Sequence, residues 1–286
     1  MKNIKDTELI LTKEKKIYHL KLEKKQIADN IILVGDQERV GEISKYFDKI
    51  YYKIKNREFT THTGIYKKKK ISVISTGIGC DNIDIVVNEL DALVNINFEQ
   101  KTINKNKKSL NLIRIGTSGS IQSNIKINTS LVTEYAIGFD GLAHYYEKKE
   151  CIDNNLTNEF IKYSNWPKEH ANPYSIKASE NLLNKFNHIQ KGITVTASGF
   201  YGPQDRKLRL KQSNIGMTQL LSKFKYNDLN ICNFEMESSA LYFLGQSLGH
   251  NTITICAILG NRINQSQSNK YSETINILIK DVLENI

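Results

Sequence analysis

The stretch "NLIRIGTSGS", Asn111–Ser120, joins a short apolar run to a polar end that contains glycine. Leu112, Ile113 and Ile115 are aliphatic residues of the kind that fill buried strands, whereas Thr, Ser and Gly favour turns. We therefore predict a strand that runs into a Thr/Ser/Gly turn. Ligands of open α/β sheets lie beyond the carboxyl ends of the strands, so this turn is a candidate binding loop.

Similar apolar runs lie on both sides of this stretch and alternate with segments of helical spacing. Further strands are predicted at 31–35, 58–66, 71–77, 129–138, 192–199 and 251–260. Helices are predicted at 36–47, 82–94 and 272–286. This alternation indicates an α/β fold with a largely buried sheet.

The domain organisation follows from composition. The chain has 286 residues, of which 40% are hydrophobic and 3 are proline, and no Gly/Ser-rich linker divides it. We therefore predict one domain over residues 1–286. The polar, lysine-rich segment 97–111 is predicted to be a surface insertion, and "KKKK", Lys67–Lys70, a turn between two paired strands.

Composition also argues against several classes of protein. The four cysteines form no CxxC pair and the six histidines show no metal-binding spacing, so neither a zinc site nor a disulfide framework is expected. We find no secretory signal, and no apolar run approaches the ~20 residues of a membrane span. The net charge of +10 comes from lysines spread along the chain, so neither a nucleic-acid nor a membrane partner is expected. We expect a cytoplasmic protein.

Arginine is rare in this lysine-rich chain, since 40 residues are basic and only six of them are arginine. A guanidinium group provides a rigid planar fork for phosphate, carboxylate or carbonyl groups, which lysine cannot replace. Each arginine is therefore a candidate site residue: Arg39, Arg57, Arg114, Arg206, Arg209 and Arg262.

Two of these arginines stand beside predicted strand ends. Arg39 follows the strand-end Gly35 at the start of a helix, and Arg114 precedes the loop with Thr117 and Ser118. Backbone N–H groups, hydroxyls and forked cations are the parts of a phosphate site. The sequence matches neither a P-loop nor a dinucleotide fingerprint. The alternative is that each loop is an ordinary turn.

The stretch "NFEMESSAL", 233–241, places two acids before an apolar run. With a helix that begins near Met236, Glu237 lies on the same face as Leu241 and the leucines that follow it. There its carboxylate is placed to accept two hydrogen bonds from a vicinal diol such as ribose. The alternative is a helix-start acid that only complements the helix dipole.

Seven motifs, in this order, make the chain similar to nucleoside phosphorylases of the uridine/purine nucleoside phosphorylase superfamily: "GDQERV", "NREFTTHTG", "ISVISTGIG", "IRIGTSGSIQ", "GFYGPQDR", "NFEMES" and "LGNR". The resemblance runs from about Tyr18 to the C-terminus and is closest to uridine phosphorylases. It implies a single-domain, three-layer α/β fold with a distorted mixed central β-sheet flanked by helices.

The resemblance also implies an activity. Phosphate attacks C1′ of the ribose in a reversible phosphorolysis, a pentosyl transfer that yields free base and ribose 1-phosphate. Inorganic phosphate is the co-substrate, and neither an organic cofactor nor a structural metal is expected. A homo-oligomer is implied, at least a dimer and typically a hexamer built as a trimer of dimers. Some relatives hold a monovalent cation, which would lie near Glu58 and Ile78 here, although Cys80–Asn82 departs from their pattern.

The resemblance assigns residues to three parts of a site. For phosphate it implies Gly35, Arg39, Arg114, Thr117 and, from the neighbouring subunit, Arg57. For ribose it implies Thr117, Met236, Glu237 and, from the neighbouring subunit, His19. For the base it implies Ser118, Gly119, Phe200, Gln204, Arg206, Glu235 and Arg262. Catalysis itself is assigned to Arg39, Arg114, Gln204, Arg206 and Glu237.

Two features favour a pyrimidine base. Gln204 and Arg206 match the two carbonyls and the imide N–H of uracil by their donors and acceptors. Purine-specific bacterial relatives carry an aspartate after the last strand, where this sequence reads "LGNR", 259–262. We therefore expect uridine, with deoxyuridine or thymidine as further candidates. The alternatives are a purine or broad-specificity phosphorylase, a phosphate-independent hydrolase, and a basic regulatory protein that binds nucleic acid.

Overall fold

The structure is a computed structural model that describes residues 3–147, 149–213 and 215–286. Its strands are β1 Asn30–Val34, β2 Lys49–Asn56, β3 Phe59–Tyr66, β4 Lys69–Ser75, β5 Ile96–Asn97, β6 Thr102–Ile103, β7 Asn111–Ser120, β8 Thr129–Gly138, β9 Tyr174–Lys177, β10 Gln190–Thr196, β11 Lys225–Tyr226, β12 Leu229–Glu235, β13 Asn251–Asn261 and β14 Ser266–Gln267. Its α-helices are α1 Gln37–Ser44, α2 Cys80–Asn95, α3 Asn154–Ser164, α4 Glu180–Leu183, α5 Met217–Lys223, α6 Ser238–Ser247 and α7 Tyr271–Asn285.

Most of these strands join one mixed sheet, in the order β11-β12-β10-β8-β13-β7-β1-β4-β3-β2. Strand β1 pairs in parallel with β4 and β7, whereas β3 and β2 are antiparallel additions at one edge. Strand β12 also pairs with β7, so β7, β13, β8, β10 and β12 close into a ring. The expected α/β fold with a distorted mixed sheet flanked by helices is confirmed.

The central strands are buried because their apolar residues are consecutive. Residues 31–34 of β1 and 112–116 of β7 are all buried. A continuous apolar run is typical of a parallel strand that is covered on both faces. Arg114 is the one charged residue in these two runs, so the fold places a guanidinium inside the protein.

Helix α6 lies in the interior and packs against α2 and β13. Residues 238–245 are all buried, as expected for a helix that is apolar on most of its faces. Leu241 and Leu244 are in the core, and burying each contributes about 1.5–3 kcal/mol. The helix begins at Ser238, so Glu237 is its N-cap residue and not part of its first turn.

The predicted hairpin over the lysine run is confirmed. Strands β3 and β4 pair antiparallel up to Tyr66 and Lys69. Lys67 and Lys68 have positive φ angles of 45° and 70°, as two-residue hairpin turns of this kind require.

Some local predictions are wrong. The segment 116–120 is not a turn, because β7 continues to Ser120 and its last residues pair with β12 and β13. The surface insertion predicted at 97–111 stays a prediction; around this segment β5 and β6 form a hairpin, and Leu110 is its one buried residue. Strand β2 is absent from our predictions, although its lysines alternate with Ile and Tyr at the period of two typical of an edge strand.

Among the described residues, no helix combines the length and the apolar character needed to cross a membrane.

Candidate active site

A cavity of 1430 Å³ opens beside the carboxyl ends of β1, β7, β12 and β13. The predicted site residues that line it are Gly35, Arg39, Arg114, Thr117, Ser118, Gly119, Phe200, Gln204, Arg206, Glu235, Met236 and Glu237. Glu58 and Ile78 line it as well. Motifs from distant parts of the sequence therefore converge on one space.

Arg39 is held at the start of α1. Asp36 caps this helix by accepting a hydrogen bond from the Glu38 N–H at 2.9 Å. The Arg39 side chain is buried, and its Nη2 donates to the Tyr271 hydroxyl at 2.5 Å. Its Nε is also buried but has no hydrogen-bond partner among the described residues. A buried guanidinium donor without a partner suits an oxyanion ligand.

Arg114 lies between two buried glutamates. Its Nη2 donates to the Glu237 carboxylate, and its Nη1 lies 3.4 Å from Glu235 Oε2. Burial opposes the charge of Arg114, but the two carboxylates outweigh burial and raise its pKa. The Arg114 Nε, like that of Arg39, is buried without a partner in the described part of the chain. The guanidinium thus stays charged and keeps one donor for a ligand.

The two glutamates make different contacts. Glu235 accepts hydrogen bonds from the N–H groups of Glu237 and Ser238, both at 2.9 Å, and from the Thr196 hydroxyl at 2.5 Å. Burial raises the pKa of Glu235. Glu237 accepts a hydrogen bond from the Gly79 N–H at 2.8 Å. Glu235 therefore caps the N-terminus of α6, whereas Glu237 links the end of β12 to the residue before α2 by a hydrogen bond.

Gly79 makes this junction possible. Its φ is +101°, a backbone conformation that glycine adopts without strain. It precedes Cys80, whose thiol donates to the Met236 carbonyl at 3.3 Å. The turn before α2 thus contacts both Glu237 and Met236, two of the residues expected at the ribose.

A chain of buried polar groups leads to Ser118. The Thr194 hydroxyl donates to Asn233 Oδ1 at 2.8 Å, and Asn233 Nδ2 donates to the Ser118 hydroxyl oxygen at 2.8 Å. Because this oxygen accepts from Asn233, the proton of Ser118 is left to be donated, and either the neighbouring Cys256 sulfur or a ligand can accept it. Ser118 lines the cavity, so it presents a hydrogen-bond donor there.

The loop with Gln204 and Arg206 is braced by arginines. Arg206 Nη1 donates to Gln204 Oε1 at 2.5 Å and to the Phe200 carbonyl at 2.7 Å. Its guanidinium carbon lies 3.8 Å from the centroid of the Phe200 ring. Arg262 donates to the carbonyls of Gln204 and Asp205. Burial, followed by the charge of Arg262, lowers the pKa of Arg206. Through its hydrogen bonds to these two carbonyls, Arg262 holds the backbone of the loop in place.

Three predicted site residues, His19, Arg57 and Arg262, are not among the residues that line this cavity. His19 Nδ1 lies 2.6 Å from Glu89 Oε1, and the His19 carbonyl accepts from Asn56 Nδ2 at 2.7 Å. Arg57 follows Asn56 and lies over the Tyr18 ring at 5.7 Å. His19 and Arg57 therefore lie close together, although 37 positions separate His19 from Asn56.

The cavity also contains Tyr271, the first residue of α7, which our predictions omit. Its partner Arg39 is 232 positions away, and no local pattern around Tyr271 signals the contact. Groups of three or more His, Cys, Asp or Glu side chains that could hold a metal ion do not occur in the described ranges.

Comparisons with known proteins show the family to which the chain belongs. Residues 29–284 match the family described as "Phosphorylase superfamily". The chain is 31% identical over 261 residues to a uridine phosphorylase of Thermococcus kodakarensis, an alignment that covers 88% of this chain and 80% of that protein. It is 26% identical over 271 residues to a DeoD-type purine nucleoside phosphorylase of Bacillus cytotoxicus, covering 93% and 97%.

A solved structure is similar over nearly its whole length. The Trypanosoma brucei nucleoside phosphorylase, described as showing uridine phosphorylase activity, superposes with a TM-score of 0.86 at 28% identity and covers 97% of this chain and 98% of its own. The cavity, the family match and this superposition all lead to one assignment: the chain is a member of the phosphorylase superfamily.

Proposed function

We propose that the protein is a uridine phosphorylase, a pentosyltransferase that converts uridine and phosphate reversibly to uracil and ribose 1-phosphate. The observation that carries this proposal is the content of one cavity. It combines the buried guanidinium groups of Arg39 and Arg114, the carboxylate of Glu237, and the paired Gln204 and Arg206. These groups match a phosphate, a ribose diol and a uracil in turn.

The phosphate would be bound between Arg39 and Arg114. Each has a buried Nε without a partner in the described residues, and Gly35 and Thr117 line the same cavity. Charge-assisted hydrogen bonds to a dianion are about twice as strong as neutral ones. Phosphate held in this way would attack C1′ while the bond from C1′ to the base breaks, through an oxocarbenium-like transition state.

The ribose would be bound by Glu237, with Met236 beside the sugar. Glu237 Oε1 accepts from Gly79, and Oε2 accepts from Arg114 and, at 3.3 Å, from the Met236 N–H, so Oε1 keeps a second lone pair for a ribose hydroxyl. Arg114 would then contact both the phosphate and the Glu237 carboxylate that binds the ribose. This contact aligns the nucleophile with C1′, and alignment is a large part of catalysis in a two-substrate reaction.

The base would be bound by Gln204 and Arg206. As the glycosidic bond breaks, its electron pair moves to the base, and the negative charge spreads to the uracil carbonyls. A fixed guanidinium and an amide stabilise that charge in the transition state. Ser118 adds a hydroxyl donor at the cavity wall. Deoxyuridine and thymidine offer the same imide, so we include them as substrates to test.

We also propose that the active enzyme is a cytoplasmic homo-oligomer, at least a dimer and in full a hexamer arranged as a trimer of dimers. The support is that His19 and Arg57, both expected to serve a neighbouring subunit, lie side by side and do not line the cavity of their own chain. A monovalent cation near Glu58 and Ile78 stays a prediction.

The test is a nucleoside panel with and without phosphate. We expect uracil release from uridine only when phosphate is present, and slower release of hypoxanthine from inosine at equal concentration. Equal release in phosphate-free buffer would identify a hydrolase and contradict the roles of Arg39 and Arg114. A clear preference for inosine would contradict the roles of Gln204 and Arg206 and identify a purine phosphorylase.

A further inference from the structure

Tyr271 stands at the junction of α7 and the cavity. It is the first residue of α7, it lines the cavity together with Gly35 and Arg39, and it is 43% exposed. Its hydroxyl oxygen accepts the hydrogen bond from Arg39 Nη2 at 2.5 Å. This half-exposed tyrosine therefore directs its hydroxyl toward the buried guanidinium of Arg39 and not toward solvent.

We propose that the Tyr271 hydroxyl is a phosphate-binding group that also positions Arg39. The inference rests on the proposed function, because it assigns a further residue to the phosphate part of that site. The hydroxyl uses its oxygen to accept from Arg39, which leaves its proton free. An anion bound to Arg39 therefore has the Tyr271 O–H within reach as a further donor.

The direction of this hydrogen bond distinguishes Tyr271 from a tyrosine whose hydroxyl has only a structural role. At the other end of α7, the Tyr66 hydroxyl donates to the Glu284 carboxylate at 2.6 Å, on the exposed surface. That tyrosine uses its proton within the protein. Tyr271 instead accepts a hydrogen bond from the Arg39 cation, and its own O–H makes no hydrogen bond to another described residue.

The surroundings of Tyr271 also favour an anion. The N-cap residue Lys270 makes no side-chain capping bond, so the first N–H groups of this 15-residue helix lack that partner. Tyr271 in the first turn of this helix and Arg39, whose Nε has no partner in the described residues, line the same cavity. A dianion at this place would be bound by a guanidinium and a hydroxyl, with the helix end nearby.

Tyr271→Phe tests the proposal, because it removes the hydroxyl and keeps the ring. Tyr66→Phe is the matched control, because it removes a hydroxyl hydrogen bond from the far end of the same helix. For Tyr271→Phe we expect the KM for phosphate to rise about tenfold, the loss typical of one hydrogen bond to a charged group, with the KM for uridine unchanged. Tyr66→Phe should leave both constants unchanged.

Phosphate binding without turnover provides a second measurement. Phosphate should raise the melting temperature of the wild type and of Tyr66→Phe, and raise that of Tyr271→Phe clearly less at equal phosphate concentration. An unchanged phosphate KM and an unchanged phosphate-induced shift in Tyr271→Phe would overturn the proposal. A fall in kcat with both constants unchanged would also overturn it, since that result indicates a structural role.

The two measurements distinguish this inference from the proposed function. If the wild type cleaves no nucleoside in phosphate, the proposed function fails, but the difference in melting temperature between Tyr271→Phe and the wild type still decides the role of Tyr271. If uridine is cleaved and the Tyr271→Phe variant behaves as the wild type does, only the role of Tyr271 fails.

Discussion

At the scale of single residues, Glu235 and Glu237 have different roles although only Met236 lies between them in sequence. Both are buried beside Arg114, so one guanidinium balances two carboxylates. Two carboxylates near one cation leave a net negative charge, which is tolerable only if hydrogen bonds satisfy the remaining lone pairs. Glu235 meets this need with backbone N–H groups at the start of α6, and Glu237 keeps a lone pair on Oε1 for a ligand.

This division predicts opposite outcomes for two isosteric substitutions. Glu235→Gln should lower the free energy of unfolding by about 1–3 kcal/mol, because an amide replaces an oxygen that accepts from helix N–H groups. Glu237→Gln should lower kcat/KM for uridine about a hundredfold and affect stability less, because it weakens contacts with the sugar. Urea unfolding and steady-state kinetics of both variants make the comparison. Normal kinetics in Glu237→Gln would remove Glu237 from the ribose site.

A second residue-scale prediction concerns Arg39. In Arg39→Lys the fork that serves both Tyr271 and the anion is replaced by a single ammonium group. We expect the KM for phosphate to rise about a hundredfold while the melting temperature in phosphate-free buffer changes little. Arg209→Lys is the matched control, because Arg209 is exposed and outside the cavity. A near-normal phosphate KM in Arg39→Lys would exclude Arg39 from the site.

At the scale of elements, α6 shows packing that outweighs helix propensity. Gly245 lies within this buried helix, and a Cβ placed there would lie 2.4 Å from Thr252 Cγ2 of β13. Gly41 lies within α1 on the exposed surface, and a Cβ placed there would meet nothing within 4 Å. The two glycines thus occupy the same backbone conformation in opposite surroundings.

Alanine at these two positions should therefore shift stability in opposite directions. Gly41→Ala should raise the free energy of unfolding by about 0.5–1 kcal/mol, because alanine has the better helix propensity and meets no clash. Gly245→Ala should lower it by about 1–3 kcal/mol, because the methyl group forces α6 away from β13. Thermal or urea unfolding measures both changes. A stabilised Gly245→Ala variant would mean that Thr252 and β13 can move aside to accommodate the methyl group at little cost in free energy.

The elements also show how far sequence reasoning extends. Strands β1, β8, β10 and β13 can be predicted from sequence because each is rich in aliphatic and β-branched residues and has a glycine at or near one end. The end of β7 cannot be predicted in this way, because residues 116–120 have the composition of a turn. Only their pairing with β12 and β13 makes them a strand. Tyr271 was not visible for the same reason: its function depends on a partner 232 positions away, and local pattern carries no information about it.

At the scale of the whole molecule, the two site residues expected from a neighbouring subunit do not line the cavity of their own chain. His19 is tied to Glu89 and Asn56, and Arg57 follows Asn56, so both side chains are placed by contacts outside the cavity. A two-fold dimer presents the same patch on both subunits, so each chain can donate such a pair to its partner. The site would then be complete only in the assembly.

Subunit complementation tests this arrangement. Arg57→Ala and Glu237→Gln chains should each be nearly inactive alone, because each lacks one part of every site. When both are co-expressed, each mixed dimer has one intact site, so activity should recover to about a quarter of the wild-type value under random pairing in a two-fold dimer. Glu237→Gln co-expressed with Arg114→Lys is the control, since both residues line the cavity of their own chain and no mixed dimer is repaired. No recovery in the Arg57→Ala pair would show that Arg57 serves its own subunit, whereas recovery in the control would contradict the placing of Glu237 and Arg114 in one site.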